Sequence, residues 1–226
     1  MYFDFIQTII LTFEIAAITT IILLPIGLIV GYYLANCKNK ISLIIEVLVW
    51  MPLILPPSVI GFYLLITFSP NNFIGKYLLD TMNIKLVFSK EGIIFASIIF
   101  SLPFMVNPIK DGFNGIPKSL KEASYMLGKD KLYTALYVLI PNIKSNILLG
   151  CITSFVHTIG EFGVVMMIGG NIDKKTRVAS IAIYDEVESL NFALAHKYSL
   201  VLFLTTFILL LVIFYIDRKK YDKDKY

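Results

Sequence analysis

Residues 111–131 read Asp-Gly-Phe-Asn-Gly-Ile-Pro-Lys-Ser-Leu-Lys-Glu-Ala-Ser-Tyr-Met-Leu-Gly-Lys-Asp-Lys and separate two long apolar runs. The stretch is polar, yet it carries the marks of a short helix with a start and a stop. Pro117 suits a first helical turn, Leu120, Ala123 and Leu127 recur on one face, and Gly128 suits the left-handed position that ends a helix. A small amphipathic helix needs somewhere to put its apolar side. Two answers are open at this level: the membrane surface, or a groove in a soluble partner.

The flanking sequence sets the environment. Of 226 residues, 57% are apolar and 16% charged, and the mean hydropathy is +0.77, which excludes an ordinary soluble domain and points to an all-α membrane protein. A hydrocarbon core of about 30 Å needs about 20 apolar helical residues. Five segments meet or approach that length: Phe5 to Ala35, Ile41 to Phe68, Gly92 to Ile109, Leu132 to His157 and Tyr198 to Ile216. The whole chain, 1–226, reads as a single transmembrane domain with its termini on opposite sides. Lysine and arginine are denser on the loops holding Lys38, Lys40 and residues 110–131, and in the tail 217–226, than on the alternate loops. That bias predicts an outer N-terminus, an inner 111–131 loop and a cytoplasmic tail lying against anionic lipid. With the charges sorted by loop, the net +4 gives no reason to expect a nucleic-acid partner.

Within the runs, Gly27 and Gly31 form a small-xxx-small pair that permits close helix approach. Pro52, Pro56, Pro57 and Gly61 require the second run to break or bend, for packing or for a role beside a water-filled path. Glu14 and Glu46 lie in or near span ends, where a carboxylate either pairs, reaches the interface or serves transport. Lys144 lies near the inner end of the fourth run and can snorkel to the headgroups. Cys37 and Cys151 are far apart and lack metal-ligand spacing, so neither a disulfide framework nor a metal site is expected.

The inner loop also carries a resemblance. Glu122-Ala123-Ser124, three residues, Gly128, nine residues, then Val138-Leu139-Ile140-Pro141 resembles the EAA loop of importer permeases of the ATP-binding cassette superfamily, EAA-x3-G-x9-I-x-L-P. Glu122, Ala123, Gly128 and Pro141 match at the family spacing. Ser124 replaces the second Ala, and Val138 and Ile140 stand in for Ile and Leu. The resemblance implies a type I importer permease fold in which residues 111–131 form a coupling helix seated in a cleft of a cytoplasmic ATPase. Glu122, Gly128, Ala123, Leu120, Leu127 and Pro141 would then be the coupling residues. It also implies a non-catalytic chain that binds no cofactor, ATP being used by the partner subunit. Consistent with that, no G-x-x-x-x-G-K-[ST] phosphate loop occurs in the sequence.

After the fourth run comes Gly160-Glu161-Phe162-Gly163, continuing through Met166-Met167 and Gly169-Gly170-Asn171-Ile172 to Ala182-Ile183-Tyr184-Asp185. It is too glycine-rich for a further ordinary span and too apolar for a plain loop. A re-entrant or surface-lying element at the outer mouth is expected, with gate-like placement. The stretch resembles oxyanion permeases. With Leu55 to Leu65 and Ala182 to Asp185 it looks more like the molybdate than the sulfate type, with tungstate not distinguishable. That resemblance implies alternating access in a bacterial cytoplasmic membrane. The partners it implies are a second permease copy, two ABC ATPase subunits and an extracytoplasmic molybdate-binding protein. A tetrahedral dianion in transit calls for hydroxyls and N–H groups rather than tightly binding arginines. The candidate lining groups are Ser97, Ser101, Thr153, Ser154 and Thr158, each of which could instead bond back to its own helix. Gly160, Glu161, Phe162 and Gly163 are the gate candidates, and His157 reads as a packed or interfacial histidine.

Overall fold

The computed structural model describes residues 2–223, with side chains over 4–216. Every regular element among them is helical. Three helices are each long and apolar enough to cross a membrane: α1 (Tyr2–Asn36), α5 (Lys90–Asn114) and α11 (Phe192–Lys223, apolar through Ile216). Two bent pairs raise that number to five by length and composition. The first is α2 (Lys40–Ile54) with α3 (Pro57–Phe68), bent by 111°; the second is α7 (Lys131–Asn142) with α8 (Lys144–Gly160), bent by 73°.

α5 is the centre of the bundle. Of its most apolar window 56% is buried inside the chain, against 6% for α11, which lies at the periphery. Lipid tails are as apolar as leucine, so helices associate through close packing rather than water exclusion. The two glycines of α1 supply that approach. A Cβ on Gly27 would fall 2.4 Å from Met105 Cγ, and one on Gly31 2.8 Å from Ile109 Cγ2. Around this contact Leu23, Met105, Ile109, Phe113, Leu139 and Ile143 form the core at the end of the bundle nearer the 111–131 loop. A second cluster, Ile15, Ile93, Val165, Val178 and Ile181, fills the other end.

The break in the second run falls at Leu55–Pro56. Leu55 ends α2 in extended backbone, and Pro56 and Pro57 lack the N–H groups needed to carry the helix through. α2 starts at a capping box, Asn39 Oδ1 accepting from Ser42 N–H at 2.7 Å while Ser42 Oγ accepts from Asn39 N–H at 3.0 Å. Pro25, by contrast, lies inside α1 without ending it.

Several boundaries differ from the sequence reading. The fourth run, expected as one span from Leu132 to His157, is broken at Ile143, and its first half is wound as a π-helix over Thr134–Leu139. The third does not stop at Ile109: α5 continues to Asn114, so the 111–131 loop begins as helix. The last helix starts at Phe192, ahead of Tyr198, because nothing in Phe192–Lys197 stops it; the side chains of the tail 217–226 lie outside the described residues. The connections after the second and fourth runs also hold α4 (Phe73–Met82) and α10 (Ala179–Glu188), which the apolar runs did not reveal. The glycine-rich stretch is not surface-lying throughout. Its helix α9 (Gly163–Gly169) is inserted between α3 and α5, with Val164 and Ile168 packed on Ala96 and Phe100.

Candidate functional site

Two groups of candidate residues lie at different places in the fold. At one end of the bundle is α6 (Lys118–Met126), with Pro117 as its N-cap rather than in its first turn. Its exit is a Schellman arrangement: Gly128 N–H reaches Tyr125 O at 2.9 Å and Lys129 N–H reaches Ser124 O at 3.2 Å, with Gly128 at φ +71°. A Cβ at Gly128 would meet open space, so glycine is required there by backbone conformation and not by crowding.

One side of α6 is anchored. Ser124 is buried, its Oγ 2.8 Å from Thr134 Oγ1. Thr134 donates its own proton to Asp130 O at 2.8 Å, which makes Ser124 the donor between the two hydroxyls. Lys121 Nζ donates to Asn36 Oδ1 at 2.5 Å and lies 5.9 Å from the centre of the Tyr32 ring, tying α6 to the end of α1. Leu120 is half-buried. The other side is bare: Glu122, Ala123 and Tyr125 are exposed, Met126 is 88% exposed and Leu127 is 78% exposed. Glu122 has no ion pair among the described residues. Leu127 caps the helix instead of extending its apolar face, and Pro141, also exposed, opens the short turn before Ile143.

The second group lies along the seam between α5 and α8. Ser97 and Ser101, four residues apart on α5, and Ser154 and Thr158, four apart on α8, are all buried. Ser101 Oγ is 2.9 Å from Thr158 Oγ1 and 3.0 Å from His157 Nδ1. The His157 ring stacks on Phe104, centroids 4.1 Å apart. Thr158 also bonds back to Ser154 O at 2.9 Å, whereas Thr153 bonds to Leu149 O at 2.8 Å and reaches across to Phe104 O at 2.9 Å. Glu161, where α8 ends, is 5% exposed, and neither carboxyl oxygen has a hydrogen-bond partner among the described residues. The Ser97 hydroxyl faces it but stays outside bonding geometry, so both are left unpaired, as is Ser154 Oγ. The Glu161 carbonyl accepts from Ser180 Oγ at 2.6 Å, which fastens α10 to this point.

The glycines beside Glu161 differ in purpose. Gly160 is exposed with open space around it, while a Cβ on Gly163 would fall 2.7 Å from Pro57 Cβ, so Gly163 lets α9 approach α3. Phe162 turns toward Tyr184, ring centroids 5.1 Å apart. Ser97, Ser101, Ser154, Thr158 and Glu161 therefore share one buried seam, and Thr153, Gly160 and Phe162 stand to its sides.

Sequence reading missed the anchoring partners Ser124, Lys121, Asn36 and Thr134. Only Ser124 gave a signal, as the departure from the Ala of the motif. The acidic residues in the runs are paired: Glu14 with Lys90 at 2.5 Å, Glu46 with Lys110 at 2.6 Å. Arg177 joins Asp185 at 2.7 Å and Glu186 at 3.0 Å, bracing α10 against the preceding loop. Both cysteines are free, and no cluster able to hold a metal ion occurs among the described residues.

A helical bundle with a broken second span and a short capped helix projecting from one end is the architecture of an importer permease. The fold is similar to that of a methionine ABC transporter solved in inward-facing conformations, with TM-score 0.74 and 14% identity over 97% of each chain. Residues 23–220 match the family described as binding-protein-dependent transport system inner membrane component, and the chain belongs to that family of multi-pass inner-membrane permeases. It is 37% identical, over 93% of both chains, to the molybdenum transport system permease protein ModB of Azotobacter vinelandii. It is also 30% identical, over 92% of this chain and 72% of the other, to a probable sulfate transport system permease protein cysT of Zygnema circumcarinatum.

Proposed function

We propose that the chain, acting as one transmembrane unit, carries molybdate through the cytoplasmic membrane by alternating access as half of a homodimeric permease. Two cytoplasmic ABC ATPases would supply the energy and an extracytoplasmic molybdate-binding protein the cargo. The chain itself neither hydrolyses ATP nor holds a cofactor, and its N-terminus is outside and its tail cytoplasmic. The observation that carries the reading is the two-sided build of α6. One side is tied to α1 and α7 by Lys121 and Ser124, and the other offers Ala123, Met126 and Leu127 with the unpaired Glu122. A rigidly held helix with an exposed apolar face is what a groove-docking partner requires. Closure of the ATPases would drive the α6 helices of the two copies together and swing the outer mouth, with Gly160, Glu161, Phe162 and Gly163 as gate and the α5–α8 hydroxyls facing the anion when the seam opens.

The likeness to a sulfate permease favours a second cargo, sulfate, and tungstate shares the size and charge of molybdate. Uptake of labelled molybdate by the reconstituted complex, in competition with tungstate and sulfate, decides between them. Sulfate outcompeting molybdate overturns the cargo and leaves the permease. Unimpaired ATP-dependent uptake after deletion of Lys118 to Gly128 overturns the coupling role.

A further inference from the structure

We propose that the inner end of the bundle carries a binding site for the headgroup of an anionic phospholipid, in the groove between the end of α1, the start of α2 and the end of α5. The groove encloses about 690 Å³. Lys38, Lys40, Lys110, Asn114 and Glu46 supply its polar lining, and Leu43 lies at its edge. Lys110 is committed to Glu46 at 2.6 Å, but Lys38 and Lys40 are exposed and have no acidic partner among the described residues. Asn39 and Ser42, which also face the groove, satisfy one another in the capping box and hold the two lysines on a fixed turn. The lining therefore presents two uncommitted ammonium groups against a single carboxylate already neutralised by Lys110. A phosphate monoanion is the complementary ligand.

The surroundings favour a lipid as the source of that phosphate. From the groove, α2 runs on with Ile41, Leu43, Ile44, Val47 and Leu48 exposed, a continuous apolar strip leading away from the lysines. Headgroup against Lys38 and Lys40, acyl chains along that strip, is the shape of an amphiphile and not of a free ion. This inference is independent of the cargo and of the coupling role of α6.

The test is native mass spectrometry of the full-length chain in complex with its ATPase, released from detergent after equilibration with phosphatidylglycerol or phosphatidylcholine. The complex should retain phosphatidylglycerol and shed phosphatidylcholine. Retention should fall about tenfold or more in the double variant Lys38→Gln, Lys40→Gln, each lysine adding attraction to an anionic headgroup. It should be unchanged in the charge-matched control Lys131→Gln, Lys144→Gln, both exposed. Glu46→Gln should raise retention by freeing Lys110, an increase that a misfolded variant could not produce. Equal retention of the two lipids, full retention by the Lys38/Lys40 variant, or equal loss in the control pair overturns the site. Displacement of phosphatidylglycerol by millimolar inorganic phosphate or molybdate overturns the lipid and assigns the groove to a soluble oxyanion.

Discussion

The short helix α6 and the seam between α5 and α8 invert one another. On α6 large apolar side chains stand in the open while a small hydroxyl, Ser124, is buried; in the seam the hydroxyls of Ser97, Ser101 and Ser154 are sealed among apolar helices. In the seam, buried polar groups are satisfied by each other or by a backbone carbonyl, or are left unpaired, so substitutions there act first on stability. On α6 the exposed face contributes little to the fold of this chain, so substitutions there should act on the docking proposed for it.

Four substitutions can break or sharpen that contrast. Gly31→Leu should have the largest effect, because its Cβ alone already lies 2.8 Å from Ile109 Cγ2 and 3.2 Å from the Lys110 backbone nitrogen. Separating α1 from α5 should cost about 3 kcal/mol, seen as loss of folded protein in detergent-resistant thermal assays. Ser101→Val comes next. It strips His157 and Thr158 of a shared partner and should lower stability by about 2 kcal/mol in the same assay. Ser124→Ala removes only the bond to Thr134, which keeps its bond to Asp130 O, so about 1 kcal/mol is expected and uptake should survive, alanine being the motif's own residue. Leu127→Glu should change stability by no more than about 0.5 kcal/mol, because the side chain is exposed, yet reduce ATP-dependent uptake at least tenfold. A Leu127→Glu protein that melts early but transports normally would reverse the assignment of the two regions.

The sequence displayed α6 well because its signals are local. A proline at the start, a glycine at φ +71° after the end and a spacing shared with a family all lie within residues 117–141. The break at Pro56–Pro57 was legible for the same reason, since missing N–H groups are a property of the residues themselves. The bend at Ile143 was not. Pro141 lies just before it, but no residue type declares the π-winding of Thr134–Leu139 that precedes it. The seam was half legible: its serines and threonines were visible, but helices apolar on all sides do not reveal which face turns inward. Glu161 reads as a gate residue in the sequence, and its burial without a partner is a tertiary fact.

The π-winding also has a counting consequence. A wider turn spends one residue without advancing the ordinary helical phase, as when Ile140 N–H reaches back to Ala135 O. Everything downstream is thereby set about 100° from where a plain α-helix would aim it, one residue's rotation at 3.6 per turn. Removing any single residue between Thr134 and Leu139 would restore ordinary winding and leave composition almost untouched. It would also turn the face that meets Ser124 away from the face that leads into α8. The stretch is in effect a phase-setting washer between α6 and the helix that carries the seam.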